Sequence, residues 1–201
     1  MSRPAATAPR GSIEDREAVL DFWFGPPGAR GKARAEWFRK DPAFDEEIRR
    51  RFGALHRAAA ALELEPWRAS PRPMLALVVV LDQFSRNLFR GEALAFAEDA
   101  HARECAREAV ERGDDRGLVP VERQFLYLPF VHHEDAADQD RGVELMGTID
   151  AFEETRGALE WAEKHRAVIR RFGRFPHRNA ALARASTPEE LEFLAQPGSG
   201  F

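Results

Sequence analysis

Three stretches of this chain set arginine, histidine and acidic residues directly against strongly apolar sequence. Leu81-Asp-Gln-Phe-Ser-Arg-Asn-Leu-Phe-Arg-Gly91 continues a run, Met74 to Leu81, that has no polar side chain. A second apolar stretch, starting at Glu122, ends in His132, His133 and Glu134, and Arg171 to Asn179 carries His177, Arg178 and Asn179 after Pro176. Charge attached to core sequence is costly unless it is partnered or faces a pocket.

Asp82 and Arg86 stand four apart with the acid first, a spacing that pairs them along one helix face. Gln83, Asn87 and Arg90 form a stripe beside them. The arginine fork of Arg86 suits a carboxylate or a phosphate. His165 falls on a buried stripe with Trp161, Val168 and Phe172. His177, Arg178 and Asn179 are expected in a turn that opens a helix, whose free N–H groups would suit an anion. Alternatively, Asn179 caps that helix and Arg178 forms a salt bridge. The candidate ligand-binding residues are therefore Asp82, Gln83, Arg86, Asn87, Glu134, His165, His177, Arg178 and Asn179. The competing reading is a solvated face with ion pairs tying helices together.

No catalytic residue is assignable, and no phosphate-binding glycine loop, nucleophile elbow or dinucleotide fingerprint is present. Neither a metal site nor a cofactor is expected: adjacent histidines such as His132 and His133 point apart on a helix, and no second ligand pair has helical spacing. A site assembled from His132, Glu134, His165 and His177 would need the fold to make it. The acids Glu134, Asp135, Asp138 and Asp140 read as a solvated loop between helices, because nothing apolar surrounds them to raise a pKa.

The elements that must position these groups all read as helices. Ser12 to Asp15 forms a capping box before a helix through Val19, Leu20 and Trp23, which stops at Gly25. Asp41-Pro42 opens a second helix, and Ser70-Pro71 a third that runs to about Phe89. Further helices are expected over 92–112, from Val119-Pro120 to a bend or end near Pro129, over 138–153, over 157–172, and after Thr187. No sustained strand alternation appears. The fold class is all-α, an antiparallel array of about eight helices.

Bulk properties narrow the function. A chain of 201 residues, 44% hydrophobic, fits one domain over 12–201, with Met1 to Gly11 expected to be a disordered tail. A net charge of −4 argues against nucleic-acid binding. Met74–Leu81 falls far short of the roughly 20 residues a bilayer demands, so no membrane association is expected. Cys105 is the only cysteine, which excludes an internal disulfide and favours a reducing cytoplasm. A monomer or homodimer is expected, with Trp23, Trp37 and Phe201 as candidates for an exposed apolar face.

Asp21-Phe-Trp-Phe-Gly25, the segment 81–91, Glu122 to Phe130 and Arg171 to Asn179 together resemble the signatures of the bacterial domain of unknown function 924 family. The resemblance spans about residues 13 to 196. It implies a tetratricopeptide-like fold of stacked helix pairs and no particular activity. At position 183 the resemblance leads one to expect glycine; alanine there suggests a locally helical backbone.

Two functions follow as expectations. The first is a helical binding module for a peptide or partner protein. The alternative is an enzyme or small-anion binder whose interhelical pocket is built from Asp82, Arg86, Asn87, His165, His177 and Arg178.

Overall fold

The most apolar run of the sequence becomes the central helix, with every residue from Met74 to Leu81 excluded from solvent. The computed structural model describes residues 11–200. Residues 1–10 of the expected tail, and Phe201, lie outside the described residues. Gly11 is tied down, its carbonyl accepting from Trp67 Nε1 at 3.1 Å.

Eight helices follow in order, and no strand occurs among the described residues. They are α1 (Ile13–Phe24), α2 (Pro42–Ala60), α3 (Pro71–Val78 continuing through Val79–Phe84 and Ser85–Leu88), α4 (Asp99–Arg112), α5 (Pro120–Val131), α6 (Ala136–Gly147), α7 (Ala158–Phe172) and α8 (Pro188–Leu194). Helix α3 packs against α1, α2, α4 and α5, which explains why its sequence shows no polar face. One core spans α1 to α7, and a smaller cluster of Val168, Ile169 and Phe175 sits beside it with Phe193 of α8. No helix among the described residues is long and apolar enough to cross a membrane.

The punctuation works largely as its chemistry predicts. The capping boxes at Ser12/Asp15 and Thr187/Glu190 both form, and Asp41 accepts from the N–H groups of Ala43 and Phe44. Pro129 lies inside the last turn of α5, which ends two residues later. Helix α3 runs continuously as expected, but Val79–Phe84 is a π-helical stretch. Such stretches are rare because each hydrogen bond closes a wider turn.

Several boundaries differ. The helix expected from Glu92 begins at Asp99, after a short 3-10 turn at Ala93–Phe96. The helix expected from Asp138 begins at Ala136, because the Asp135 carboxylate accepts from the N–H groups of Ala137 and Asp138. It ends at Gly147, well before Glu153. The acidic run is therefore not a solvated loop: Asp138 is buried and held by Arg103 and Arg107. The turn at Pro176–Arg178 opens no further helix, so Asn179 caps none and instead bonds Ser186, Glu190 and Arg184.

Ala183 adopts φ +53°, so the left-handed turn that favours glycine is kept rather than replaced by helix. Trp23 is packed in the core and Trp37 is half-buried, so neither forms an exposed apolar face.

Candidate functional site

The buried polar groups converge on Asp82, which has no solvent exposure and lies in the π stretch of α3. Its Oδ1 takes Arg86 Nη1 at 3.0 Å, and Gln83 Nε2 donates to Oδ2 at 2.5 Å. His132, capping the C-terminus of α5, places Nδ1 at 2.9 and 3.0 Å from the two carboxylate oxygens.

Arg86 turns both Nη atoms to Asp99, the first residue of α4, at 2.9 and 3.1 Å. Asp99 also accepts from Arg178 Nη1 at 3.1 Å, and Arg178 Nη2 donates to the carbonyl of His132 at 2.9 Å. Asp82, Arg86, Asp99, Arg178 and His132 thus form a closed ring of contacts contributed by three helices and the turn after Phe175. The Arg178 guanidinium lies 4.6 Å from each of the Phe96 and Phe175 rings, which hold its plane through cation–π contact.

A second network continues from this ring. Glu134 is gripped by Arg184 at 2.7 and 2.9 Å and accepts from the Phe175 N–H. Arg184 Nε reaches Asn179, whose amide bonds Glu190 at the start of α8.

Charge in this region follows from burial set against pairing. Burial alone would raise the Asp82 carboxyl, but Arg86 and His132 hold it well below the usual carboxylate range. Burial drives His132 below the ordinary imidazole value against the pull of Asp82. It takes His165 down to about 3, and His177, with Arg178 beside it, down to about 4. Burial and the neighbouring Arg86 bring Arg178 down to about 10. At neutral pH Asp82, Arg86 and Arg178 are therefore charged and these three histidines are neutral.

Over this ring opens a cleft of about 580 Å³, between α3, α5 and α7. Arg39, Lys40, Arg86, Arg90, Lys164 and Arg178 line it, together with His132, His165 and His177. No aspartate or glutamate lines it among the described residues. The acids that pair with five of these cations lie outside the lining: buried Asp82 and half-buried Asp99 lie beneath Arg86 and Arg178, whereas Asp41, Asp45 and Glu160 pair with Arg39, Arg90 and Lys164. Trp37, Phe38, Phe96 and Trp161 supply aromatic walls, and Trp161 lies against His165 with ring centroids 3.8 Å apart and planes inclined by 48°. A second hollow of about 530 Å³ shares Trp37, Phe38 and Trp161 and continues to Glu153 and Glu154.

Of the nine candidate residues, Gln83, Arg86, Asn87, His165, His177 and Arg178 line the cleft. Asp82 lies behind it, and Glu134 and Asn179 belong to the network that anchors α8. Asn87 and Arg90 both bond Asp45 of α2. Asp99 and His132 are not among the nine candidates; the helix terminus at His132 favours a protonated ring by its dipole, but burial drives the ring the other way. Asp99 looks like any acid in a first helical turn, and only its arginine partners mark it. The signal for His132 was its position at the end of the most apolar helix after α3.

His133, Asp135 and Asp138 bring one ligand atom each within 4.8 Å of one another, a grouping their sequence spacing did not suggest. Arg103 and Arg107 lie 2.6 and 3.1 Å from Asp138, and their charge opposes a cation there. Cys105 is buried in the core, its thiol pushed up to about 12 by that burial, and takes no part in the site.

The family model for bacterial proteins of unknown function (domain of unknown function 924) matches residues 19–198 of this chain. A solved structure of a protein of unknown function from Agrobacterium tumefaciens is 42% identical, covers 90% of this chain and 96% of its own, and superposes with a TM-score of 0.80. No curated protein matches.

Proposed function

The chain belongs to the bacterial domain of unknown function 924 family, whose name assigns no activity, and on that premise we propose that it binds a small anionic molecule in the cleft between α3, α5 and α7. The observation that carries this reading is the one-sided lining: six cationic side chains and no carboxylate. Arg86 and Arg178 are pre-organised by Asp99, Phe96 and Phe175, so little side-chain entropy is lost when their remaining donors meet a phosphate or carboxylate. The aromatic walls would exclude water around the ligand and strengthen those contacts.

The test is a titration with inorganic phosphate, sulfate and succinate at low salt, followed by calorimetry and thermal melting. At least one anion should bind with a 1:1 stoichiometry and raise the melting temperature. Lys40→Ala and Lys164→Ala, changes on the exposed rim, should weaken it several-fold without altering the melt of the free protein. No binding of any of the three at millimolar concentration would overturn the reading.

A second reading, a groove for a peptide, draws on the adjoining hollow. The shared Trp37, Phe38 and Trp161 link the cationic cleft to Glu153 and Glu154, a polarity that would suit a peptide carboxyl-terminus preceded by a basic residue. Such peptides binding far more tightly than succinate would favour it.

A further inference from the structure

We propose that His132 is a general base in this cleft: held through Nδ1 by Asp82, it takes through Nε2 a proton from water, which then attacks an ester of the anion bound beside Arg86 and Arg178. This rests on the anion-binding reading above and adds an activity to it.

The geometry fixes which nitrogen does what. Asp82 is an ionised carboxylate and can only accept, so His132 Nδ1, 2.9 and 3.0 Å from its oxygens, carries the proton. The ring is neutral, so Nε2 carries the lone pair. That nitrogen makes no hydrogen bond among the described residues, and the ring lines the cleft. A fully buried carboxylate behind an imidazole fixes its tautomer and stabilises the imidazolium that forms when it takes a proton. Asp82 is in this sense a positioning residue, and it is itself held by Arg86 and Gln83.

The lining selects water as the nucleophile. No serine, threonine or cysteine lines the cleft among the described residues, so no side-chain hydroxyl or thiol is at hand to form a covalent intermediate. Ser85, the nearest hydroxyl in sequence, is buried and engaged by His56 and the Leu81 carbonyl. No carboxylate lines the cleft to act as a second base.

The step balances without a further reactant. The water oxygen bonds to the acyl carbon or the phosphorus as its proton passes to Nε2. The bond from that atom to the leaving oxygen breaks, and the leaving oxygen takes the proton back from the imidazolium. The products are an acid and an alcohol. Carboxylic and phosphoric esters share this chemistry.

The groups facing the imidazole are Asp82 and Arg86 of α3, Asp99 of α4, His165 of α7, and His177 and Arg178 of the following turn. His165 and His177 lose their charge at lower pH than an ordinary imidazole, so a single base should govern the rate above about pH 5.

The experiment uses the full chain with 4-nitrophenyl phosphate, the 4-nitrophenyl monoester of succinic acid and neutral 4-nitrophenyl acetate. One of the two anionic esters should be hydrolysed at least about tenfold faster, relative to its uncatalysed rate, than the acetate. The rate should rise with pH to a plateau below 7. His132→Asn keeps an N–H near the Nδ1 position and removes Nε2; it should lower the rate about 100-fold. Its dissociation constant for inorganic phosphate should change by less than about tenfold. Nitrogen-15 chemical shifts of the wild type should show the Nδ1–H tautomer of His132 at pH 7.

Phosphate binding with neither anionic ester hydrolysed above buffer would overturn this proposal and leave the anion site standing. So would hydrolysis untouched by His132→Asn, or an Nε2–H tautomer. Failure of wild-type protein to bind any anion would overturn both readings.

Discussion

Arg86 grips Asp99 with both Nη atoms, at 2.9 and 3.1 Å, while the same guanidinium lies 3.0 Å from the fully buried Asp82. The i,i+4 pair legible in the sequence is therefore half of the arrangement. The other half comes from the first residue of α4, thirteen positions on.

Arg86→Ala should destabilise the protein by about 3–5 kcal/mol, because Asp82 would remain buried with its main cationic partner gone. Asp99 keeps Arg178, so the cost falls chiefly on Asp82. Urea unfolding of Arg86→Ala beside Arg50→Ala, whose guanidinium is on the surface, should show the contrast. Equal, small losses would place Arg86 among ordinary surface residues.

Stability should be nearly flat between pH 6.5 and 8 and fall as the solution is acidified. His165 and His177 are depressed from 6.5 to about 3 and about 4, so the unfolded chain binds more protons across that interval. Their contribution is present above 6.5 and is lost as pH falls towards the folded values. Asp82, Glu134 and Asp138 are also lowered and add a further loss below the ordinary carboxylate range. Glu122, raised by burial, works the other way. Denaturant midpoints at pH 8, 6.5, 5.5 and 4.5 test this; a stability that rises between 6.5 and 4.5 would contradict it.

Gly142→Ala should cost about 1–2 kcal/mol despite the better helix propensity of alanine. A Cβ there would lie 2.8 Å from Val131 Cγ2 and 3.3 Å from the Val131 backbone nitrogen, so α5 and α6 would have to separate. Thermal melting of the variant checks it, and a raised melting temperature would show that the contact yields easily.

Ala183→Gly should stabilise the protein by up to about 1 kcal/mol. The left-handed backbone at φ +53° strains alanine, and the relief exceeds the entropy that glycine adds to the unfolded chain. An unchanged or lower denaturation midpoint would mean that the turn is not strained.

The sequence by itself determined the helices and the residues that had to be reconciled with a core. Helical periodicity and side-chain caps act over three or four residues, so Ser12/Asp15, Asp41-Pro42 and Thr187/Glu190 announce their helix starts locally. The cost of charge beside apolar sequence is local too, and it marks Arg86 and Arg178 as groups in need of partners. Which partners they take was decided only by the tertiary structure. Asp99 reaches Arg178 across 79 residues, and His132 reaches Asp82 across 50. Electrostatic pairing depends on distance in space, and any acid in this charge-rich chain could have served. The π stretch of α3 was equally hidden, because its residues are as apolar and periodic as those of an ordinary helix. The one-sided cationic lining arises because Asp82 and Asp99 lie beneath Arg86 and Arg178, an arrangement set by packing and carried by no motif.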